Sequence, residues 1–437
     1  MASEIFNHTA LNHQAKEIRL LKVQRSHDSS QPIQCILQHF DLAKRPQYKA
    51  LSYTWGEPLP TRDIIINGSP LPIRDNLYQF LASSASAVDT GESPWLWIDQ
   101  LCIRQDNIQE RNHQVRQMPE IYSSAAEVLV WLSPAFPGSD DIMSDIRTFE
   151  PPDAHVEPSR EERGSHWEQL EAAILPALER FVTLPYWSRL WISQELLLAR
   201  RVRLLLGDSD GGVTWEQFSA WHSAYQLAIT ICGDSLRLPR GLWRLELLTL
   251  YRDGREEVLA GGGFSWSDAM RVAEGSLCHD PRDMAFGLMG VVAPHCYFAP
   301  DYAMSAREVL ECVLRMEIAA DVTNGLVDES YVRVKRYATF LCGWLELLHL
   351  ADETDDRDLL RILTRALLRE RREQRGTPLG LVRHTWSKIK LKHWIRQWLK
   401  SLDSEESYAD RVIGNSTIGN KDNRRASLIS RSTSSSS

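Results

Sequence analysis

Hydrophobic and polar positions alternate in two different rhythms along this chain, and the change between them divides it. IRLLKV (18–23) and IQCILQHF (33–40) read as a pair of strands around a polar turn. YKALSYTW (48–55) reads as a strand that Gly56 and Pro58 stop. Residues 63–73 read as a hairpin turning at Asn67-Gly68. A helix over 76–87 follows, with Asp75 placed to cap it. WLWIDQLCI (95–103) is almost continuously apolar, the pattern of a central strand buried on both faces. A long helix is predicted over about 107–126 and a buried strand over 127–132. The polar, proline-rich stretch 134–165 reads as an exposed insertion. Helices near 167–182 and 188–199 lead to a last strand at 202–207. This alternation predicts an α/β domain over 48–207, with a mostly parallel sheet and helices on both sides, after an N-terminal β segment over 1–47.

From 208 to 350 the rhythm is helical. Asp280, Pro281 and Asp283 form a helix-start signature, and Ser305 with Glu308 forms a capping box. A charged helical segment occupies 351–402, and the Ser-rich tail 403–437 is expected to be disordered. Tandem repeats are not evident.

Several side chains carry candidate chemistry. Asp106 and Gln109 match a capping box at the start of the long helix. Ile108, Val115, Met118, Tyr122 and Ala125 mark its buried stripe, and Arg111 falls on that stripe. An inward guanidinium needs a carboxylate or an anionic ligand. Asp99, Glu110 and Glu195 are the internal candidates; the alternative is a pocket arginine. Pro119 removes a backbone donor, so a kink is expected there. Asp99 ends an apolar run, where a carboxylate either meets a ligand or caps the following turn. Cys102 reads as a core residue. Ser52 lacks the GxSxG elbow of a hydrolase nucleophile. On a continuous helix Trp187, Trp191 and Glu195 would share one face. Indoles beside a carboxyl group desolvate it and raise its pKa, which suits an acid, a base or a sugar-binding group. The plainer reading is a core pair of tryptophans with Glu195 salt-bridged to an arginine. The Gly-rich pieces 207–214 and 260–266 read as turns.

Composition narrows the classes. The 437 residues are 43% hydrophobic and 25% charged, with a net charge of −8, which argues against coating nucleic acid. The N-terminus shows no secretory pattern, and no run is long and apolar enough to span a bilayer. The seven cysteines form no CxxC, so neither a disulfide framework nor a zinc site is expected, and a reducing cytoplasmic location fits. Residues 384–402 form a basic amphipathic pattern with Trp386, Trp394 and Trp398, suited to an anionic membrane or a calmodulin-like groove, or to packing on the domain. Ser427, within RRASL, resembles a basophilic kinase site.

YKALSYTWGEP (48–58), LWIDQLCIRQDNIQERNHQVRQM (96–118) and YWSRLWISQE (186–195) occur in an order that resembles the heterokaryon incompatibility (HET) domain of filamentous fungi. The resemblance implies a nonself-recognition effector that triggers programmed cell death, acting with copies of itself or other incompatibility proteins. Within these stretches Ser52, Tyr53, Trp55, Gly56, Asp99, Gln105, Arg111, Arg189, Trp191 and Gln194 are the candidate binding residues. A more distant resemblance joins ALSYTW (50–55), EIYSSAAEVLVWLS (120–133) and the Trp191–Glu195 spacing to Toll/interleukin-receptor (TIR) domains. It implies a flavodoxin-like or TIR-like sheet and, by analogy with members that hydrolyse NAD, Glu195 as the catalytic residue. NAD would then be a substrate, with no bound cofactor. Trp55 or Trp191 would stack on a ring, and Arg111 or Arg189 would meet phosphate. The alternatives are a non-enzymatic, oligomerising signalling module, or membrane action through 384–402.

Overall fold

The computed structural model describes residues 5–24, 31–86, 93–150, 180–207, 211–232 and 242–323, with Tyr337, 340–341, 343–348 and 361–362. The basic segment 384–402 and Ser427 lie outside these residues.

β1 (Glu17–Val23) and β2 (Gln34–Asp41) pair antiparallel, as their alternation predicts. β3 (Lys49–Tyr53) is buried almost throughout. β4 (Thr61–Ile66) and β5 (Ser69–Arg74) form the expected hairpin. Asn67 and Gly68 both adopt positive φ, 50° and 85°, the conformation that a two-residue turn between twisted strands requires. α1 (Asp75–Ser86), β6 (Leu96–Trp97), α2 (Asp99–Cys102), α3 (Ile108–Ser124), β7 (Glu127–Ser133) and α4 (Ser139–Thr148) follow. α5 (Pro185–Ser188), α6 (Ile192–Leu197), β8 (Val202–Leu206) and β9 (Val213–Thr214) complete the sheet region.

The strand order is β5-β4-β2-β1-β6-β3-β7-β8-β9. The run β6-β3-β7-β8 is parallel, and antiparallel pairs extend it on both sides. The fold is therefore α/β with a parallel centre. β1 joins that centre through Leu21 opposite Leu96, so the N-terminal strands extend the same sheet.

The expected strand over 95–103 is only two residues long. After Trp97 the Asp99 carboxylate accepts the Gln100 N–H at 2.7 Å, and the Cys102 N–H bonds to Ile98 O at 2.7 Å. A helical turn thus buries Leu101 and Cys102 as completely as a strand would. Apolar content alone does not separate these outcomes. Part of the 134–165 insertion is also ordered: α4 buries Ile142, Met143 and Ile146.

α3 starts one residue later than its capping pattern suggested. Asn107 is the cap and accepts the Glu110 N–H at 3.1 Å, while exposed Asp106 pairs with Arg104. Ile108 is 54% exposed and drops out of the expected stripe, whereas Val115, Met118, Tyr122 and Ala125 are buried. Pro119 lies inside α3 without ending it.

The helical downstream region comprises α7 (Trp215–Cys232), α8 (Leu242–Asp253), α9 (Arg255–Ala260), α10 (Trp266–Ala273), α11 (Asp283–Phe286) and α12 (Ala306–Thr323). The Ser305–Glu308 box is formed reciprocally, with the Ser305 N–H on Glu308 Oε2 at 2.7 Å and the Glu308 N–H on Ser305 Oγ at 3.3 Å. Asp280 accepts the Arg282 N–H at 3.0 Å and so caps the turn that opens α11. Buried residues of the sheet and of these helices belong to one hydrophobic cluster. Among the described residues no helix is long and apolar enough to cross a membrane.

Candidate functional site

β3 lies between β6 and β7, so Ser52 is fully buried and its hydroxyl needs partners. It donates to the Glu195 carboxylate. A serine has one hydroxyl proton, so Tyr186 donates to Ser52 Oγ at 2.7 Å. One residue on, the Tyr53 hydroxyl donates to Gln100 Oε1 at 3.1 Å. Beyond the strand end, the Trp55 indole N–H donates to Asp99 Oδ2 at 2.9 Å, and the Arg74 guanidinium lies 5.3 Å from the Trp55 ring centre. Gly56 turns the chain at φ 74°, where a Cβ would sit 3.1 Å from Asn76 Cβ. Gln105 donates to the Asp99 carbonyl at 2.9 Å and braces the turn from below.

Arg189 joins the two carboxylates. Its Nη1 is 3.5 Å from Glu195 Oε2, and its charge also acts on Asp99. Its side chain is 17% exposed, against 2% for Glu195. Burial raises the Glu195 pKa, with Arg189 and Ser52 opposing. Burial also raises Asp99, opposed by Arg189, Trp55 and the Gln100 N–H. Burial works against the Arg189 charge, but Glu195 and Asp99 outweigh it and hold that pKa above its ordinary value. The segments around 52–56, 99–105 and 186–195 therefore meet in one network of hydrogen bonds and charges at the carboxyl ends of β3 and β6, where open α/β sheets hold their ligands.

Three expected binding residues, Trp191, Arg111 and Gln194, lie elsewhere, as does Trp187. The single helical face of Trp187, Trp191 and Glu195 does not form. α5 ends at Ser188, Arg189 is extended at φ −68° and ψ 136°, and α6 begins at Ile192. Trp187 packs between Phe181 and Phe218 and donates to Phe181 O at 2.9 Å, a core role. Trp191 instead donates to Asp283 Oδ2 at 3.3 Å. Tyr302 donates to the other Asp283 oxygen at 2.6 Å, and Arg111 stacks 4.2 Å from the Tyr302 ring centre. Arg111 thus faces Asp283 and Asp280, and forms no ion pair with Asp99, Glu110 or Glu195 among the described residues. Glu110 is taken by Arg19 at 2.6 Å. Gln194 is buried, packs toward Gly290 and Pro119, and its amide has no hydrogen-bond partner among the described residues.

The sequence reading overlooked Tyr186, Gln100, Arg19 and Tyr302. Arg19 carried a signal, a charge inside the apolar run IRLLKV. Tyr186 adjoins Trp187 but does nothing periodic, and Tyr302 lies in a loop.

A parallel-centred sheet with the Glu195–Arg189 pair and Asp99 at its strand ends defines an α/β domain with a preformed charged centre there. Residues 48–195 match the family model described as heterokaryon incompatibility protein (HET), a span from just before β3 to Glu195. Over that span the chain is similar to a HET domain. Over 151 residues it is 32% identical to "Heterokaryon incompatibility protein 6, OR allele" of Neurospora crassa, covering 32% of this chain and 22% of that relative's length. No solved structure matches.

Proposed function

We propose that this chain acts in fungal heterokaryon incompatibility, as an effector whose HET domain triggers cell death. The observation that carries the proposal is the convergence of the three motif segments on the Ser52–Glu195–Arg189–Asp99–Trp55 network, inside the span of the HET match. In this reading the network is the rigid centre of a signalling module, which passes its state to a second copy or to another incompatibility protein. The burial of Glu195 favours this role: its carboxylate is engaged by Ser52 and Arg189 and is closed to solvent.

A second reading is cleavage of NAD between nicotinamide and ribose. The half-buried trio of Trp55, Asp99 and Arg189 favours it, since it combines an indole, a carboxylate and a cation at the edge of the network. Water would add to the ribose carbon as nicotinamide leaves, and a carboxylate would stabilise the positive charge that develops. Glu195 would first have to leave Ser52 and Arg189.

Induced expression in a filamentous-fungal cell, scored for death and for cellular NAD, tests both. Death with NAD unchanged supports the signalling module. NAD loss that Glu195→Gln abolishes supports the enzyme. Survival of cells that accumulate the folded chain overturns the effector role.

A further inference from the structure

Two arginines of α8 reach into the segment that carries Arg189 and Glu195. Arg244 is 3% exposed. Its Nε donates to Trp187 O at 2.9 Å, its Nη1 to Val272 O, and its Nη2 to Arg189 O and Ser193 Oγ, both at 3.2 Å. No carboxylate pairs with it among the described residues. Burial lowers its pKa to about 10, so it stays charged at neutral pH, with carbonyl oxygens in place of a counter-ion. Arg252, two helical turns on, donates to Leu196 O at 2.8 Å, to Ala199 O, and to Arg200 O at 3.4 Å. α8 thus lies along the motif segment and holds its carbonyls at two places.

The two arginines hold different things. Arg252 caps the end of α6, a common use of a cation. Arg244 holds the break between α5 and α6. A continuous helix would satisfy Trp187 O and Arg189 O with its own N–H groups. Here the chain leaves the helix, and Leu190 N–H and Ser188 O bond to Leu277 at 3.1 and 2.6 Å. Arg244 supplies the donors that the break removes. The break sets the direction of Arg189, whose side chain turns back to Glu195.

We propose that Arg244 is a positioning residue for the Arg189–Glu195 centre, so that α8, outside residues 48–195, completes the working site and lets the downstream region control it. The functional part of this proposal rests on the effector role proposed above. Lysine at 244 keeps the charge but loses the planar fork that spans three carbonyls. The test uses the full chain labelled with 5-fluorotryptophan. The Trp55 resonance, assigned with Trp55→Phe, reports Asp99 and Arg189 from the far side of the network.

Arg244→Lys is expected to shift the Trp55 resonance and to lose killing on induced expression, while Arg252→Lys, buried on the same helix, leaves both unchanged. An unchanged Trp55 resonance in Arg244→Lys overturns the proposal. So does loss of killing by both variants in step with their loss of thermal stability. If Arg244→Lys does not fold, Ser193→Ala removes one Arg244 acceptor; a shifted Trp55 resonance then supports the proposal and an unchanged one overturns it. Absence of killing by the unaltered chain defeats the effector role alone, and the fluorine spectra still decide the positioning.

Discussion

The Ser52 hydroxyl donates to the Glu195 carboxylate, tying the centre of the sheet to α6 across 143 positions of sequence. Both groups are buried, so neither has water to fall back on. Ser52→Ala removes the donor without adding an atom to the packed site. It should destabilise the chain by about 1–3 kcal/mol, the cost of an orphaned buried acceptor. Equilibrium unfolding in urea measures this, and an unchanged midpoint would remove the bond from the list of stabilising contacts.

Asp283 should make stability depend on pH. Burial raises its pKa to about 6, against the pull of Tyr302 and Trp191. The native state therefore holds a proton that the unfolded chain has already lost. Its contribution is fully present below the ordinary aspartate range and is lost as pH rises through about 6. The full effect is at most about 3 kcal/mol. Melting temperatures of the unaltered chain and Asp283→Asn, followed from about pH 4 to about pH 7, should show the variant's relative stability improving as pH rises. A constant difference would refute the assignment.

Arg19 and Glu110 form a buried ion pair at 2.6 Å, with exposures of 1% and 2%. Arg19→Met strands the carboxylate and should cost about 3–5 kcal/mol, much of which Arg19→Met with Glu110→Leu recovers. A double-mutant cycle in urea gives the coupling. Arg19 also bonds Cys102 O at 2.8 Å, and β1 covers the β6 edge, so a chain begun at residue 48 should lose cooperative unfolding.

Gln194→Met should be neutral or stabilising by about 1 kcal/mol, because it replaces an unpaired buried amide with an apolar chain of similar size. A loss larger than that in urea would show that the amide has a hydrogen-bond partner in the native chain. Gly290→Ala is the companion measurement: its Cβ would stand 2.7 Å from Leu198 Cδ1 and 2.9 Å from both Gln194 Oε1 and Pro119 Cγ. It should cost about 1–3 kcal/mol.

Much of the candidate site was legible before any coordinates, since Ser52, Trp55, Asp99, Arg189 and Glu195 all sit in quoted motifs and all join one network. Two placements differ from the periodic reading, for different reasons. The helix breaks at Arg189, so Trp187 leaves the face while Trp191 and Glu195 stay within one helical turn. Arg111 lies against Tyr302 and toward Asp280 and Asp283, groups from distant segments that spacing along one helix does not reveal.

Short-range forces can be read along the chain, and they account for the turn at Asn67-Gly68, the capping box at Ser305 and Glu308, and the alternation behind a parallel-centred sheet. Each depends on hydrogen bonds or side-chain spacing within a few residues. Which cation meets Glu195 emerges from long-range packing, because it depends on a backbone break that Arg244 holds from 55 residues beyond Arg189. A guanidinium that distant leaves no periodic trace near the residue it positions; its effect exists only once the chain has closed the loop.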